Sequence, residues 1–163
     1  ANERLMTDIK DPENTLIMET TKGTVVIEMF PDKAPAHVER LKLLARENFY
    51  DGIVFHRVID GFMAQVGCPR GTGTGGSKHP DLPAEFNETP HQRGVCSMAR
   101  TANPNSANSQ FFICFGDASF LDRQYTAWGQ VIDGMDHVDA ITRGEPVRDA
   151  DSIVTLRVAV DAA

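Results

Sequence analysis

Arg57 is the side chain with the most distinctive chemistry in this sequence, and it lies in the segment FHRVIDGFMAQ of residues 55–65. A guanidinium is a rigid hydrogen-bond donor that stays charged at every relevant pH. Such a donor accelerates a reaction when it binds a group that becomes an acceptor only in the transition state. A lone arginine on a sheet face is usually solvated, so this interpretation requires apolar and amide side chains beside it. Phe62, Met63 and Gln65 supply some of them, and a second stretch with side chains of the same kinds must supply the rest.

The Asp60-Gly61 pair predicts how these side chains are positioned. Asp-Gly is a strong hairpin signal, and here it joins residues 54–59 to residues 62–66 as two antiparallel strands. Side chains alternate between the two faces of a strand. The first strand is therefore expected to present three residues on one face: Phe55, Arg57 and Ile59.

A second stretch, residues 99–115 (ARTANPNSANSQFFICF), runs from a Pro/Asn/Ser loop into an aromatic-rich strand. Aromatic residues in strands usually belong to the core. Phe111 and Phe112 are adjacent, so alternation makes them face opposite ways. One of the two is predicted to lie in the core, and the other can line a surface pocket.

Together with Phe120, Leu121 and Tyr125, these segments resemble the cyclophilins, the family of peptidyl-prolyl cis-trans isomerases. The matching pieces are FHRVIDGFMAQ, GTGTGG from Gly71, SMAR from Ser97, NSQFFI from Asn108 and FLD from Phe120. The resemblance covers the chain from about Thr15 to its end. Because the long insertions of the best-known eukaryotic members are absent, the chain is most similar to the compact bacterial branch.

The resemblance implies a mainly β fold: a closed, antiparallel, eight-stranded β-barrel capped by two α-helices, formed by residues 15–163. Residues 1–14 are expected to be an N-terminal tail. The implied activity is acceleration of rotation about X-Pro bonds in peptides and folding proteins, without metal, cofactor or covalent intermediate. The expected partners are proline-containing peptides and unfolded protein clients, bound by a monomer.

The resemblance also assigns roles to individual residues. It implies catalytic roles for Arg57, Phe62 and Gln65. The implied substrate-binding residues are His56, Met63, Gly73, Ala99, Arg100, Gln110, Phe112, Phe120, Leu121 and Tyr125.

Three of these positions depart from the best-known eukaryotic members, which carry tryptophan, histidine and asparagine in place of Phe120, Tyr125 and Arg100. Phe120 lacks the indole N–H donor of the tryptophan. Cyclosporin binding is therefore expected to be weak.

Composition narrows the classes of function. The chain has 163 residues, and 16 Lys and Arg against 23 Asp and Glu give a net charge of −7. No basic stripe is present, which argues against nucleic acid as a partner. Apolar runs are short and the first residues are polar, so neither a transmembrane helix nor a signal peptide is predicted. The cysteines are odd in number and have no paired spacing, which indicates free thiols in a cytoplasmic protein.

The hydrophobic periodicity of the remaining segments predicts the helices and strands that surround these residues. An amphipathic helix is expected over residues 35–47, with Asp32 as its N-cap and Pro35 in its first turn. A second short helix is expected around Met135, Val138 and Ile141. Strand-like runs occupy residues 16–20, 24–30, 95–99, 110–115, 126–132 and 152–160.

Two other hypotheses remain open. Residues 71–76 match GxGxxG, but a nucleotide site needs a helix directly after the glycines, and Pro80 and Pro83 forbid a long one. A proline-peptide binding module or holdase would need only the apolar pocket, whereas turnover needs the donor at Arg57. Covalent hydrolysis lacks a sequence signature, although a triad assembled in space is not excluded by sequence.

Overall fold

The structure is a computed structural model that describes residues 9–162. Its main element is one antiparallel sheet of eight strands in the order β3-β4-β6-β5-β7-β2-β1-β8. The strands are β1 (Thr15–Thr20), β2 (Gly23–Met29), β3 (Arg57–Ile59), β4 (Met63–Val66), β5 (Val95–Met98), β6 (Phe111–Cys114), β7 (Ala127–Asp133) and β8 (Ile153–Val158). Two α-helices, α1 (Pro35–Arg46) and α2 (Met135–Asp139), accompany the sheet. Both predicted helices are confirmed, and each predicted run contains a strand, although residues 54–56 lie outside β3 and residues 159–160 form a 3-10 turn after β8.

Closure of the sheet into a barrel is not confirmed. The hydrogen-bonded order begins at β3 and ends at β8, so these strands are the two edges of an open sheet. β3 has only three residues, too few to form a full ladder with β8. The segment before β3 meets β8 only locally, through the bridge between Val54 and Ser152 and a bond from the Phe55 amide to the Asp151 carbonyl.

The same local geometry corrects the expected position of Phe55. Phe55 is fully buried in the main core together with Val58, not on the face that carries Arg57. Regular strand pairing begins only at Arg57, so alternation cannot be extended back to residue 55. The expectation that Arg57 and Ile59 share a face is consistent with their both being half-buried on either side of buried Val58.

The main core lies on the inner face of the sheet and is covered by α1. The helix buries an apolar stripe on it, formed by Val38, Leu41, Leu44 and Ala45. Trp128 and Phe111 pack edge to face, with ring centroids 5.4 Å apart. Phe111 is therefore the core member of the Phe111–Phe112 pair, of which alternation predicted one core residue without saying which.

The N-cap predicted at Asp32 is wrong. Residues before the helix form a turn in which the Ala34 amide bonds to the Phe30 carbonyl, and Ala34 is the N-cap. The first free amides of the helix, those of Ala36 and His37, instead donate to the Glu85 carboxylate at 3.2 and 2.9 Å. A carboxylate at a helix N-terminus satisfies unpaired amides and complements the dipole.

The predicted tail lies partly outside the described residues. Within its described part, Ile9 packs with Ile17, Val26 and Ala159 in a small buried cluster. Glu13 forms ion pairs with Lys42 of α1 at 2.6 Å and with Arg46 at 3.1 Å. The domain boundary at residue 15 stays a prediction. Between residues 9 and 162, no helix is long and apolar enough to cross a membrane.

Buried histidines predict that stability falls in mild acid. Burial lowers the pKa of His37 and His91 below the ordinary value of 6.5, against the opposing pull of Glu85 and Asp122. At these two histidines the unfolded chain therefore binds more protons than the folded one below about pH 6.5. Their contribution to the free energy of unfolding is complete above that pH and decreases as the pH falls. Urea unfolding between pH 7.5 and 5 should show this decline, with a shallower slope in a His91→Asn variant. An equal slope in both proteins would contradict the prediction.

Candidate peptide-binding site

Strand register brings the predicted site residues into one row. Arg57 on β3 is paired with Gln65 on β4, and Gln65 is paired with Phe112 on β6. Directly paired residues of antiparallel strands point to the same face of the sheet. Alternation then keeps Phe112 on the outer face while Phe111 enters the core. The two segments singled out in the sequence thus meet on the outer face.

A pocket of about 250 Å³ lies over this row. Its apolar floor consists of Met63, Phe112 and Leu121, which are all at least nine-tenths buried. Phe62, Ala99 and Tyr125 pack around that cluster and are partly exposed. The Tyr125 ring meets Phe112 edge-on at 5.9 Å. The pocket is open to solvent and is of a size suited to one small apolar ring.

Most of the predicted site residues line this pocket. They are His56, Arg57, Phe62, Met63, Gln65, Gly73, Ala99, Arg100, Phe112, Leu121 and Tyr125. Thr72 also lines it and was missed, because a threonine in a glycine-rich loop carries no distinctive signal.

Two predicted residues lie beside the pocket. Phe120 is 65 % exposed, and its ring centroid lies 5.5 Å from that of Phe62. Gln110 lines an adjoining pocket of about 600 Å³, whose wall includes residues 73–77. The two pockets share Gln65, Gly73, Ala99 and Arg100, so together they form one continuous groove.

The Arg57 guanidinium is held at the rim of the pocket by side-chain hydrogen bonds. Its Nη1 donates to Gln65 Oε1 at 3.2 Å, and its Nε donates to the Glu145 carboxylate. Gln65 Nε2 in turn donates to Gln110 Oε1 at 2.9 Å. Gln110 Nε2 donates to the carbonyls of Gly73 and Gly75 at 3.0 and 2.9 Å. The donor is thereby connected through two amides to the glycine-rich loop.

The environment of the His56 imidazole, beside Arg57, favours its neutral form. Burial, and then the positive charge of Arg57, lower the pKa of His56. His56 Nδ1 is buried and lacks a hydrogen-bond partner within the described part of the chain. Its other ring nitrogen, Nε2, would lie 3.2 Å from a Cβ added at Gly73. A side chain at residue 73 would therefore crowd this wall of the pocket.

The glycine-rich loop does not open a helix. Residues 71–94 contain no helical segment, and Gly71 and Gly73 have positive φ angles of 67° and 89°. The loop is fastened by Ser77, whose amide and hydroxyl donate to Asn108 Oδ1 at 2.8 and 2.7 Å. The helix N-terminus that a phosphate site requires is missing from these residues, so the nucleotide hypothesis loses its structural basis.

The three cysteines are unpaired and buried, as the sequence indicated. Cys68 lies inside the glycine-rich loop, where the Gly75 amide approaches its sulfur at 3.2 Å. Burial tends to raise the pKa of this thiol, but loop backbone amides, led by that of Thr72, lower it to about 6.

The structure also assembles a Ser-His-Asp arrangement that the sequence did not reveal. His91 Nε2 lies 2.8 Å from Ser97 Oγ, and its Nδ1 lies 3.0 Å from Asp122 Oδ1. Ser97 is fully buried, however, and is paired with Phe112 in the sheet. A nucleophile must reach the substrate carbonyl, so this arrangement cannot support hydrolysis. The His91 ring instead stacks on Phe112, 6.3 Å away, and supports the pocket floor.

An apolar pocket thus lies beside a charged donor and is continuous with a polar groove, an arrangement that suits non-covalent binding of an extended peptide. The sequence model of the cyclophilin type peptidyl-prolyl cis-trans isomerase family matches residues 15–160. The chain belongs to this family and is a peptidyl-prolyl cis-trans isomerase.

Relatives and solved structures agree with this assignment. A Brucella suis protein named as a probable peptidyl-prolyl cis-trans isomerase is 49 % identical, over 93 % of this chain and 85 % of its own length. A peptidyl-prolyl cis-trans isomerase of Synechococcus elongatus is 44 % identical over 90 % of this chain and 97 % of its own.

Among solved structures, cyclophilin AquaCyp293 from Hirschia baltica superposes with a TM-score of 0.87 at 33 % identity, covering 94 % of this chain and 76 % of its own. A Cryptosporidium parvum cyclophilin type isomerase, crystallised in the presence of the dipeptide Ala-Pro, gives 0.83 at 27 % identity, over 88 % of this chain and 98 % of its own.

Proposed function

We propose that this chain accelerates rotation about X-Pro bonds by binding the twisted amide more tightly than the planar one, with Arg57 as the donor. Rotation makes and breaks no covalent bond, and its barrier of about 18 to 20 kcal/mol is the loss of amide resonance. Uncatalysed exchange takes tens to hundreds of seconds. Raising it to roughly 10³ per second requires a barrier lower by about 7 kcal/mol.

Arg57 supplies the part of this stabilisation that distinguishes the transition state. In the planar amide the proline nitrogen shares its lone pair with the carbonyl, whereas in the twisted amide it becomes a hydrogen-bond acceptor. A bond from a charged donor contributes about 1.5 to 3 kcal/mol. The observation that carries the proposal is the position of the Arg57 guanidinium, held by Gln65 at the rim of the apolar pocket.

The pocket would supply the remainder. Phe62, Met63, Phe112 and Leu121 would hold the proline ring still while the preceding chain turns, which removes rotational freedom that free peptides must lose. A low-polarity pocket also disfavours the dipolar planar amide relative to the twisted one. Tyr125 and Phe120 would widen the apolar contact at the rim.

The adjoining pocket would bind the residues that precede proline. Gly73, Ala99 and Arg100 border both pockets and Gln110 lines the adjoining one, and an extended peptide could follow this groove in the manner of an added strand. The Ala-Pro dipeptide present with the Cryptosporidium parvum relative supports small proline peptides as ligands. His56 would form the opposite wall of the proline pocket.

The domain bounds, the partners and the cellular compartment are also proposed. The isomerase domain would comprise residues 15–163, with residues 1–14 as an appended tail, and the protein would act as a monomer on proline-containing and unfolded clients. Three free thiols fit a reducing compartment such as the cytoplasm. Cyclosporin would bind weakly, because Phe120 lacks an indole donor.

A protease-coupled assay on a proline peptide tests the proposal against the holdase alternative. We expect the wild-type protein to accelerate the slow cis-to-trans phase in proportion to its concentration. A holdase would leave this phase unchanged while suppressing aggregation of an unfolded client. An unaltered slow phase at micromolar protein would therefore refute the enzymatic function and favour the holdase.

A further inference from the structure

We propose that Glu145 is a positioning residue of this isomerase, which orients the Arg57 guanidinium toward the pocket. The inference rests on the proposed role of Arg57 and extends it to a residue outside the two segments that form the pocket. Glu145 lies in the loop between α2 and β8, 88 residues away along the chain, and its carboxylate accepts a hydrogen bond from Arg57 Nε.

The position of Glu145 is fixed by the backbone. Val58 and Gly144 exchange a pair of backbone hydrogen bonds, each 2.8 Å long, so the loop is docked on the outer edge of β3. Arg57 precedes Val58 and Glu145 follows Gly144, and in an antiparallel bridge these two positions are direct neighbours. Register therefore places the two side chains next to each other, within reach of this contact.

A second anchor holds the same loop. Arg143 donates from Nε to Asp60 in the turn of the β3–β4 hairpin at 3.1 Å, and its guanidinium carbon lies 4.1 Å from the centre of the Phe115 ring. Gly144 is required at its position, because an added Cβ would lie 2.7 Å from the Pro146 carbonyl oxygen. The loop thus presents Glu145 from a site attached to the hairpin that carries Arg57.

Counting the guanidinium donors shows what this contact achieves. Arginine has five N–H groups in a planar fork. Glu145 takes the Nε donor and Gln65 takes one donor of Nη1. The Nη2 amino group has no partner among residues 9–162. With two points of the plane held, rotation of the guanidinium about its long stem is restricted, and its unpaired edge stays available for a substrate acceptor.

The Glu145 contact is expected to act on turnover more than on binding. The Arg57 and Glu145 side chains are 39 % and 58 % exposed, and ion pairs exposed to this degree hold a geometry only modestly. We therefore expect Glu145→Ala to lower kcat about two- to fivefold, with little change in KM. Glu145→Gln keeps an acceptor oxygen for Nε and should retain most of the wild-type kcat.

The decisive experiment is a double-mutant cycle of Glu145→Ala with Arg57→Ala, measured as kcat and KM on one proline peptide. If Glu145 acts through Arg57, its replacement has no further effect once Arg57 is gone. Asp51→Ala is the matched control: Asp51 forms a bidentate pair with Arg157 at 2.8 Å, neither residue lines either pocket, and its loss should leave kcat unchanged. The NMR signal of the Arg57 Nε proton, protected in the wild type, should be lost in Glu145→Ala.

Several results would overturn the inference. These are an unchanged or higher kcat in Glu145→Ala, a Glu145→Gln variant as slow as the alanine variant, or an equal loss in the Arg57→Ala background. If Arg57→Ala lowers activity but Glu145→Ala does not, the positioning role alone fails. If Arg57→Ala is fully active, the proposed donor and its positioning residue fail together.

Discussion

Replacing Arg57 by alanine is expected to lower kcat/KM by about 10- to 10²-fold while the fold survives. The estimate follows from the contribution of a charged hydrogen bond, about 1.5 to 3 kcal/mol, and from the tenfold change in rate that each 1.4 kcal/mol produces. The side chain is 39 % exposed and lies outside the main core and outside the buried cluster of the pocket floor. Its removal therefore leaves no cavity in the core. The protease-coupled assay measures the loss directly.

A matched variant separates charge from geometry. Arg57→Lys keeps a positive charge but loses the planar fork that Gln65 and Glu145 hold. We expect it to recover only a small part of the wild-type rate. Thermal unfolding of both variants should stay close to that of the wild type. A large loss of stability in Arg57→Ala would indicate that Arg57 is a structural residue and would contradict its proposed role.

Replacing Phe112 by alanine is expected to have the second largest effect, on activity and stability together. Phe112 lies in the pocket floor, and its ring packs on those of Tyr125 and His91. Loss of an aromatic contact with a buried apolar ring removes about 1.5 to 3 kcal/mol of binding, or about 10- to 10²-fold in kcat/KM. Truncating a buried phenylalanine also costs about 3 to 5 kcal/mol of stability.

Phe111→Ala is the control for this effect. Phe111 is the neighbouring residue, equally buried, and packs on Tyr50 and Trp128 in the main core. Its loss should destabilise the protein by a similar amount but leave the pocket floor in place. Both variants are compared well below their melting temperatures, and leucine replaces alanine if either fails to fold. Equal losses of kcat/KM in the two variants would show that the activity reports stability and not the pocket.

The parts of the site that sequence could predict are those set by local rules. Asp60-Gly61 indicated the hairpin but not its register: residues 60–62 form the loop, so Arg57 pairs with Gln65, whereas a two-residue turn would have paired it with Ala64. The adjacency of Phe111 and Phe112 was enough to divide core from surface, since alternation has a strict period of two. The resemblance supplied the residues of the loops, including Gly73 and Ala99, for which no periodicity exists.

The features that the sequence did not predict depend on contacts between segments that are distant along the chain. The Glu85 carboxylate caps α1 from nearly fifty positions away. No local sequence pattern could have identified it as the capping group in place of Asp32. Glu145 reaches Arg57 only because Gly144 docks on Val58. Ser97, His91 and Asp122 meet through sheet register and a loop. Barrel closure was overestimated because strand count alone does not reveal that β3 is too short to join β8.

The most direct test of the central claim is exchange NMR on a proline peptide saturated with enzyme, which measures interconversion of cis and trans on the protein separately from binding. The account predicts that wild-type protein exchanges the bound peptide at about 10³ per second, and that Arg57→Ala binds it with nearly the same Kd but exchanges it at least tenfold more slowly. Equal exchange rates on the two proteins, or a loss confined to Kd, would contradict the claim that Arg57 stabilises the twisted amide.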